Sequence, residues 1–219
     1  MNHPAPPRKP PCRQTRLAAR FSVCQPSIVS QAVHRVHYSF PEYVALEEVS
    51  TVRHEYLDGQ IYAMAGGTPE HGALKVAAIG LLFGQLREGR CRALDSDVRV
   101  RVLATGLSTY PDLSIVCGPR RLDPGDKNTV VNPIVLIEVT SKSTEAYDRT
   151  EKFDHYRQIP SLEEYVVISH REREIEVRRR GPDGEWPTTV AHKGERLELR
   201  SVACVLEVDA LYDAAAEPG

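Results

Sequence analysis

Two short apolar runs, Leu113–Cys117 and Ile134–Val139, constrain this chain most, because each carries an acid where a core strand should be apolar. Both are rich in β-branched residues and bounded by Pro, Gly or Asn, so they read as strands. Asp112 opens the first and Glu138 sits near the end of the second. Side chains alternate along a strand, so Ile134, Leu136, Glu138 and Thr140 share a face. A helix pattern follows from about Thr144 to Gln158, with Asp148, Lys152 and Tyr156 four apart and stacked on one side. Burying an unpartnered carboxylate is costly, so a strand acid signals a salt bridge, an edge position or a ligand. Two carboxylates on neighbouring strands and a lysine on the next helix can hold a hard cation beside a water.

The 219 residues suit one domain with a full core. Hydrophobic content of 41% and charged content of 26% are those of an ordinary soluble protein. The net charge of −2 hides an asymmetry. Residues 1–37 contain Arg8, Lys9, Arg13, Arg16, Arg20 and Arg35 and no acid. Setting these six aside from 28 basic residues leaves 22 against 30 acids, so the remainder carries −8. An acidic body does not advertise nucleic-acid binding, which needs Lys and Arg for phosphate, unless basic residues cluster locally. Cys12, Cys24, Cys91, Cys117 and Cys204 show no C-x-x-C pair and no zinc spacing. They read as reduced thiols in the cytoplasm, with Cys117 and Cys204 in the core. No apolar stretch approaches a membrane span, and the N-terminal stretch lacks a secretory h-region. Its composition also suits a transit peptide, although a disordered extension or misassigned start explains it better.

Taken in order, residues 1–36 are Pro- and Arg-rich without periodicity and are expected to be disordered. Residues 37–214 form the domain, and 215–219 a flexible tail. Ser39-Phe40-Pro41 is a helix start, with the helix over Glu42–Val49. Arg53–Leu57 and Gln60–Met64 flank Asp58-Gly59, a hairpin signal. An amphipathic helix runs through Leu74, Ala78, Leu82 and Leu86 to near Gly89. Asp97–Leu103 alternates as a half-exposed strand, and Gly118–Asn132 reads as a polar loop. Tyr165–Ser169 and Glu174–Arg178 make an antiparallel pair, extended by strands near Thr188–Ala191 and Arg196–Leu199. Asp209 would cap a terminal helix. The pattern gives mixed α/β (α+β), with one central mixed sheet flanked by helices.

Tyr110-Pro111-Asp112, then Ile137-Glu138-Val139-Thr140-Ser141-Lys142-Ser143-Thr144, then Tyr147-Asp148-Arg149-Thr150-Glu151-Lys152 resembles the Uma family of putative restriction endonucleases, within the PD-(D/E)xK nuclease superfamily. The likeness runs from about Tyr38 to Tyr212. It takes in Tyr43, the segment from His54 to Tyr62, His71, the stretch from Asp95 to Val100, the segment from Ile159 to Tyr165, and Trp186. It implies a restriction-endonuclease-like core and metal-dependent hydrolysis of nucleic acid, DNA above all. Asp112 and Glu138 would hold Mg²⁺ or Mn²⁺, and homodimers are expected. The superfamily's E-x-K lysine position holds Thr140 here. Lys152 on the next helix is the preferred replacement, positioning the water, with Lys142 the competitor.

The resemblance also offers Glu55 as a further catalytic and metal-binding acid; a half-buried hairpin acid is the alternative. His71 could touch phosphate or metal, or cap the long helix. Asp97 could join the ligands, but beside Arg99 and Arg101 it reads as surface charge. Tyr156 reads as packing. A non-catalytic nuclease-like binding module stays open as the rival. A two-carboxylate glycoside hydrolase fits less well, having no aromatic sugar platform and no task for Lys152.

Overall fold

The computed structural model describes residues 36–64 and 66–217. Apart from Val36, the stretch expected to be disordered lies outside them. Helix α1 (Phe40–Val49) opens on a capping box: the Ser39 hydroxyl accepts from the Glu42 N–H, and the Glu42 carboxylate accepts from the Ser39 N–H. Strands β1 (His54–Leu57) and β2 (Gln60–Ala63) form the expected hairpin. Asp58 and Gly59 take φ of 46° and 74°, the left-handed pair a two-residue turn requires. Helix α2 (Pro69–Leu86) is N-capped by Thr68. Strands β3 (Cys91–Asp95), β4 (Arg99–Arg101), β5 (Ser108–Thr109), β6 (Leu113–Cys117), β7 (Leu122–Asp123), β8 (Asp126–Val130) and β9 (Val135–Val139) follow. Short helices α3 (Glu145–Arg149) and α4 (Glu151–Tyr156) lead to β10 (Glu164–Ile168), β11 (Glu174–Arg179) and β12 (Thr188–His192). Strands β13 (Arg196–Leu199) and β14 (Cys204–Glu207) and helix α5 (Val208–Ala215) complete the described chain.

The central sheet is mixed, in the order β12-β11-β10-β9-β6-β3, with β9 and β10 its parallel pair and α3–α4 the crossover between them. A second six-stranded sheet, β2-β1-β5-β4-β8-β7, accompanies it, so the strands do not all join one sheet. Alternation along β9 divides the core. Val135, Ile137 and Val139 pack with Leu74, Ala78 and Leu82 of α2, while Leu136 packs with Phe153 and Tyr156 of α4 and with Tyr165 and Val167 of β10. Helices therefore reach both faces of β9, and its C-terminal end lies between them.

Several local expectations are corrected. The single helix over 144–158 breaks at Thr150, whose φ of −124° and ψ of −93° are non-helical. The polar loop 118–132 contains the β7–β8 hairpin, whose short polar strands carry no hydrophobic alternation. Arg99 is buried rather than half-exposed, held by Asp126 at 2.6 Å with Glu47 at 3.9 Å. Strand β13 pairs with β14 instead of extending the central sheet. Glu207, not Asp209, occupies the N-cap of α5; Asp209 pairs with Arg173 at 3.2 Å. Cys91 and Cys117, opposite each other in β3 and β6, are disulfide-bonded, where free thiols were expected. Sheet register joins them across 26 residues, which no local spacing reveals. Cys204 is free and buried, as expected. Among the described residues no helix is long and apolar enough to cross a membrane.

Candidate active site

Register brings the two strand acids together. The β6–β9 ladder pairs Leu113 with Ile137, so one further step places Asp112 opposite Glu138. Both line one pocket with Gly66, Gly67, His71, Ser141 and Lys152. The Asp112 carboxylate accepts the Val139 N–H at 2.9 Å and lies 3.2 Å from His71 Nε2, with Lys75 Nζ at 3.9 Å. His71 and Lys75 stand one turn apart on α2, so the helix presents both to the same acid. Thr68 accepts the His71 N–H, so Thr68 caps α2 and the His71 ring is left for Asp112. Burial works to raise the Asp112 pKa, but His71, the Val139 N–H and Lys75 outweigh it and hold it low. The hydrogen bond to Asp112 raises His71 in turn.

Glu138 is buried at the other side of this pocket. Its Oε1 accepts from Tyr156 Oη at 2.8 Å and from Lys152 Nζ at 3.0 Å. Lys152, only 4% exposed, also lies 3.4 Å from Glu55 Oε1 and 3.6 Å from Asp148 Oδ1. Burial pushes Glu138 up to about 8; Lys152 opposes that rise, while Asp148 and Asp112 add to it. Burial works against the Lys152 charge, yet Glu138, Tyr156, Glu55 and Asp148 keep its pKa well above the usual lysine value. Asp148 is raised, chiefly by burial. Three carboxyl groups share this one ammonium.

The structure thus brings Asp112, Glu138, Lys152 and His71 to one pocket. Glu55 stands beside it: its carboxylate accepts from the Thr109 hydroxyl and, at 3.4 Å, from the Tyr147 hydroxyl, and it lines a neighbouring pocket. Asp112, Glu138 and Glu55 do not form a metal-spaced trio; among the described residues no three His, Cys, Asp or Glu side chains do. Lys142 is exposed. Asp97 is exposed and paired with Arg53, away from the pocket. Sequence reasoning missed Lys75, although its spacing four beyond His71 on an amphipathic helix is the signal that finds it. It also read Tyr156 as packing, whereas the ring packs and the hydroxyl binds Glu138.

Comparison with known proteins agrees with this fold. Across 171 residues the chain is 37% identical to an uncharacterized protein of Synechocystis sp., covering 78% of this chain and 89% of that one. A second uncharacterized Synechocystis protein is 28% identical over 158 residues, covering 72% and 89%. The crystal structure of a putative nuclease belonging to DUF820 from Anabaena variabilis matches with a TM-score of 0.64 at 18% identity, covering 76% of this chain and 93% of that one. The shared fold is mixed α/β with a restriction-endonuclease-like core. Residues 40–210 match the model of the Uma2 family, described as "Putative restriction endonuclease", and the chain belongs to that family.

Proposed function

We propose that this protein is a metal-dependent endonuclease that hydrolyses phosphodiester bonds of DNA. The observation that carries the reading is the convergence of Asp112, Glu138 and Lys152 on one pocket at the C-terminal end of β9. The donor chemistry fits Mg²⁺ or Mn²⁺: both acids offer hard oxygens, and Glu138 is lifted toward neutrality by burial and by neighbouring acids, which a cation would relieve. Two carboxylates suffice for Mg²⁺, which keeps several waters. Asp112 and Glu138 would hold the ion, which would supply a more acidic water and polarise a phosphoryl oxygen.

The chain's own groups do the rest. His71 and the Val139 N–H fix Asp112, and Tyr156 fixes Glu138. Lys152 holds the attacking water and meets charge developing on the phosphate. Glu55, bound to Lys152, Thr109 and Tyr147, keeps the ammonium in place rather than serving as a third ligand. His71 and Lys75 lend the positive charge that a phosphate needs in an otherwise acidic body. A homodimer would bring two such sites to the two strands of a duplex.

Replacing Lys152 by Ala should lower kcat about 10²- to 10³-fold, the usual worth of one donor aimed at developing charge, and should lower turnover more than metal affinity. Single-turnover cleavage with metal titration measures both, and unchanged turnover would pass the role to Lys142. One observation favours the rival, a binding module without catalysis: Glu138 and Lys152 satisfy each other and are each only 4% exposed.

A further inference from the structure

A second pocket adjoins the first across Glu55. It has a volume of about 330 Å³ and is lined by Glu55, Leu57, Tyr62, Leu107, Tyr147 and Glu151. That size lies at the small end of the roughly 300–1,000 Å³ of ligand sites. The β1–β2 register sets Tyr62 directly opposite Glu55, so both project from the same face of the hairpin. Tyr62 is 53% exposed, which leaves its ring available. Tyr147 is half-buried and donates to Glu55 Oε2. Leu107, fully buried, and Leu57 give an apolar floor, while Glu151 is exposed at the rim. Glu55 Oε1 lies 3.4 Å from Lys152 Nζ, so a group seated here is one residue away from the proposed scissile phosphate.

We infer that this pocket holds an unpaired nucleobase of the substrate, stacked on Tyr62 and Tyr147; the inference rests on the nuclease reading above. Two tyrosine side chains above the Leu57–Leu107 floor suit a base, which every nucleotide next to a cleaved bond carries. Beside the two tyrosine hydroxyls, the polar groups at the edge are the Glu55 and Glu151 carboxylates, which only accept. An exocyclic amino group offers them two N–H donors where thymine offers its single N3–H, so they favour adenine, cytosine or guanine over thymine. A base inside a duplex has both faces stacked and its pairing edge occupied, so it can offer neither ring nor edge. The substrate class is therefore DNA that is single-stranded, looped or able to extrude a base near the cut.

The test is fluorescence anisotropy of the full chain in EDTA with labelled oligo(dA), oligo(dC) and oligo(dT) single strands and the matching duplexes, beside cleavage of the same strands in Mn²⁺. Single strands should bind more tightly than duplexes, and oligo(dA) and oligo(dC) more tightly than oligo(dT). Tyr62→Ala should weaken single-strand binding by about 5- to 150-fold, the worth of one stacked base, while Tyr62→Phe keeps it. Glu151→Gln, which adds a donor at the rim, should narrow the gap between oligo(dA) and oligo(dT). Equal binding of duplex and single strand, or no loss in Tyr62→Ala, overturns the pocket even where cleavage persists. Tyr62-dependent binding without any cleavage supports the pocket and overturns the nuclease reading instead. Because Tyr62 is largely exposed and Phe preserves its ring, misfolding of one variant does not imitate the pattern.

Discussion

Lys152 has a carboxylate from each of three elements around it: Glu55 from β1, Asp148 from α3 and Glu138 from β9. Tyr156 completes the cluster, and Tyr156→Phe deletes its hydroxyl while keeping the ring that packs against Tyr165. Without it a buried Glu138 oxygen loses a partner, which costs about 1–3 kcal/mol, so urea unfolding in EDTA should show a loss of that order. A loss below about 0.5 kcal/mol, the range of surface changes, would mean the hydroxyl does not hold Glu138. At this scale the sequence was legible where chemistry broke pattern. Asp112 and Glu138 stood out because strands rarely hold acids, and Lys152 because of its spacing from Asp148. The bonds of Glu55 to Thr109, and of His71 to Asp112, join residues 54 and 41 positions apart. Tertiary packing creates such pairs, and nothing local announces them.

The hairpin that carries Glu55 and Tyr62 depends on its turn. Gly59 has φ of +74°, and a Cβ there would stand 2.3 Å from the His37 ring. Gly59→Ala should therefore destabilise by more than the roughly 1 kcal/mol that separates Gly from Ala at permissive sites, read as a lower urea midpoint. An unchanged midpoint would show that the turn relaxes freely. This hairpin and helix α2 were readable because Asp-Gly and a 3.6-residue period are local signals. The break at Thr150 was not, because residues 144–158 keep a helical pattern while α3 and α4 dock separately. The β7–β8 hairpin escaped for the opposite reason: its residues are polar, and Asp123 and Asp126 are buried against Arg101 and Arg99. Arg99 likewise alternates with valines as a surface residue would, yet its nearest carboxylate, Asp126, comes from a segment that sequence reading leaves as loop.

For the whole molecule, the acidic site should make stability depend on divalent cations. At about 100 times the dissociation constant a bound ion adds about 2.7 kcal/mol, or about 5–10 °C in Tm for a chain of this size. Thermal shift with Mn²⁺ and Mg²⁺, reversed by EDTA and absent in Glu138→Gln, is the expected result. No shift in the wild-type protein would favour the binding-module rival. The charge distribution predicts salt sensitivity as well, since DNA bound through few basic groups should lose affinity with a shallow slope in salt. The central claim is that Asp112 and Glu138 act together on a phosphodiester. Its most direct test is cleavage of plasmid and single-stranded DNA in Mg²⁺, Mn²⁺ and EDTA by the wild type, Asp112→Asn and Glu138→Gln, each checked for folding by circular dichroism. Divalent-dependent cleavage by the wild type alone is predicted; equal cleavage by either folded variant, or none by the wild type, would contradict it.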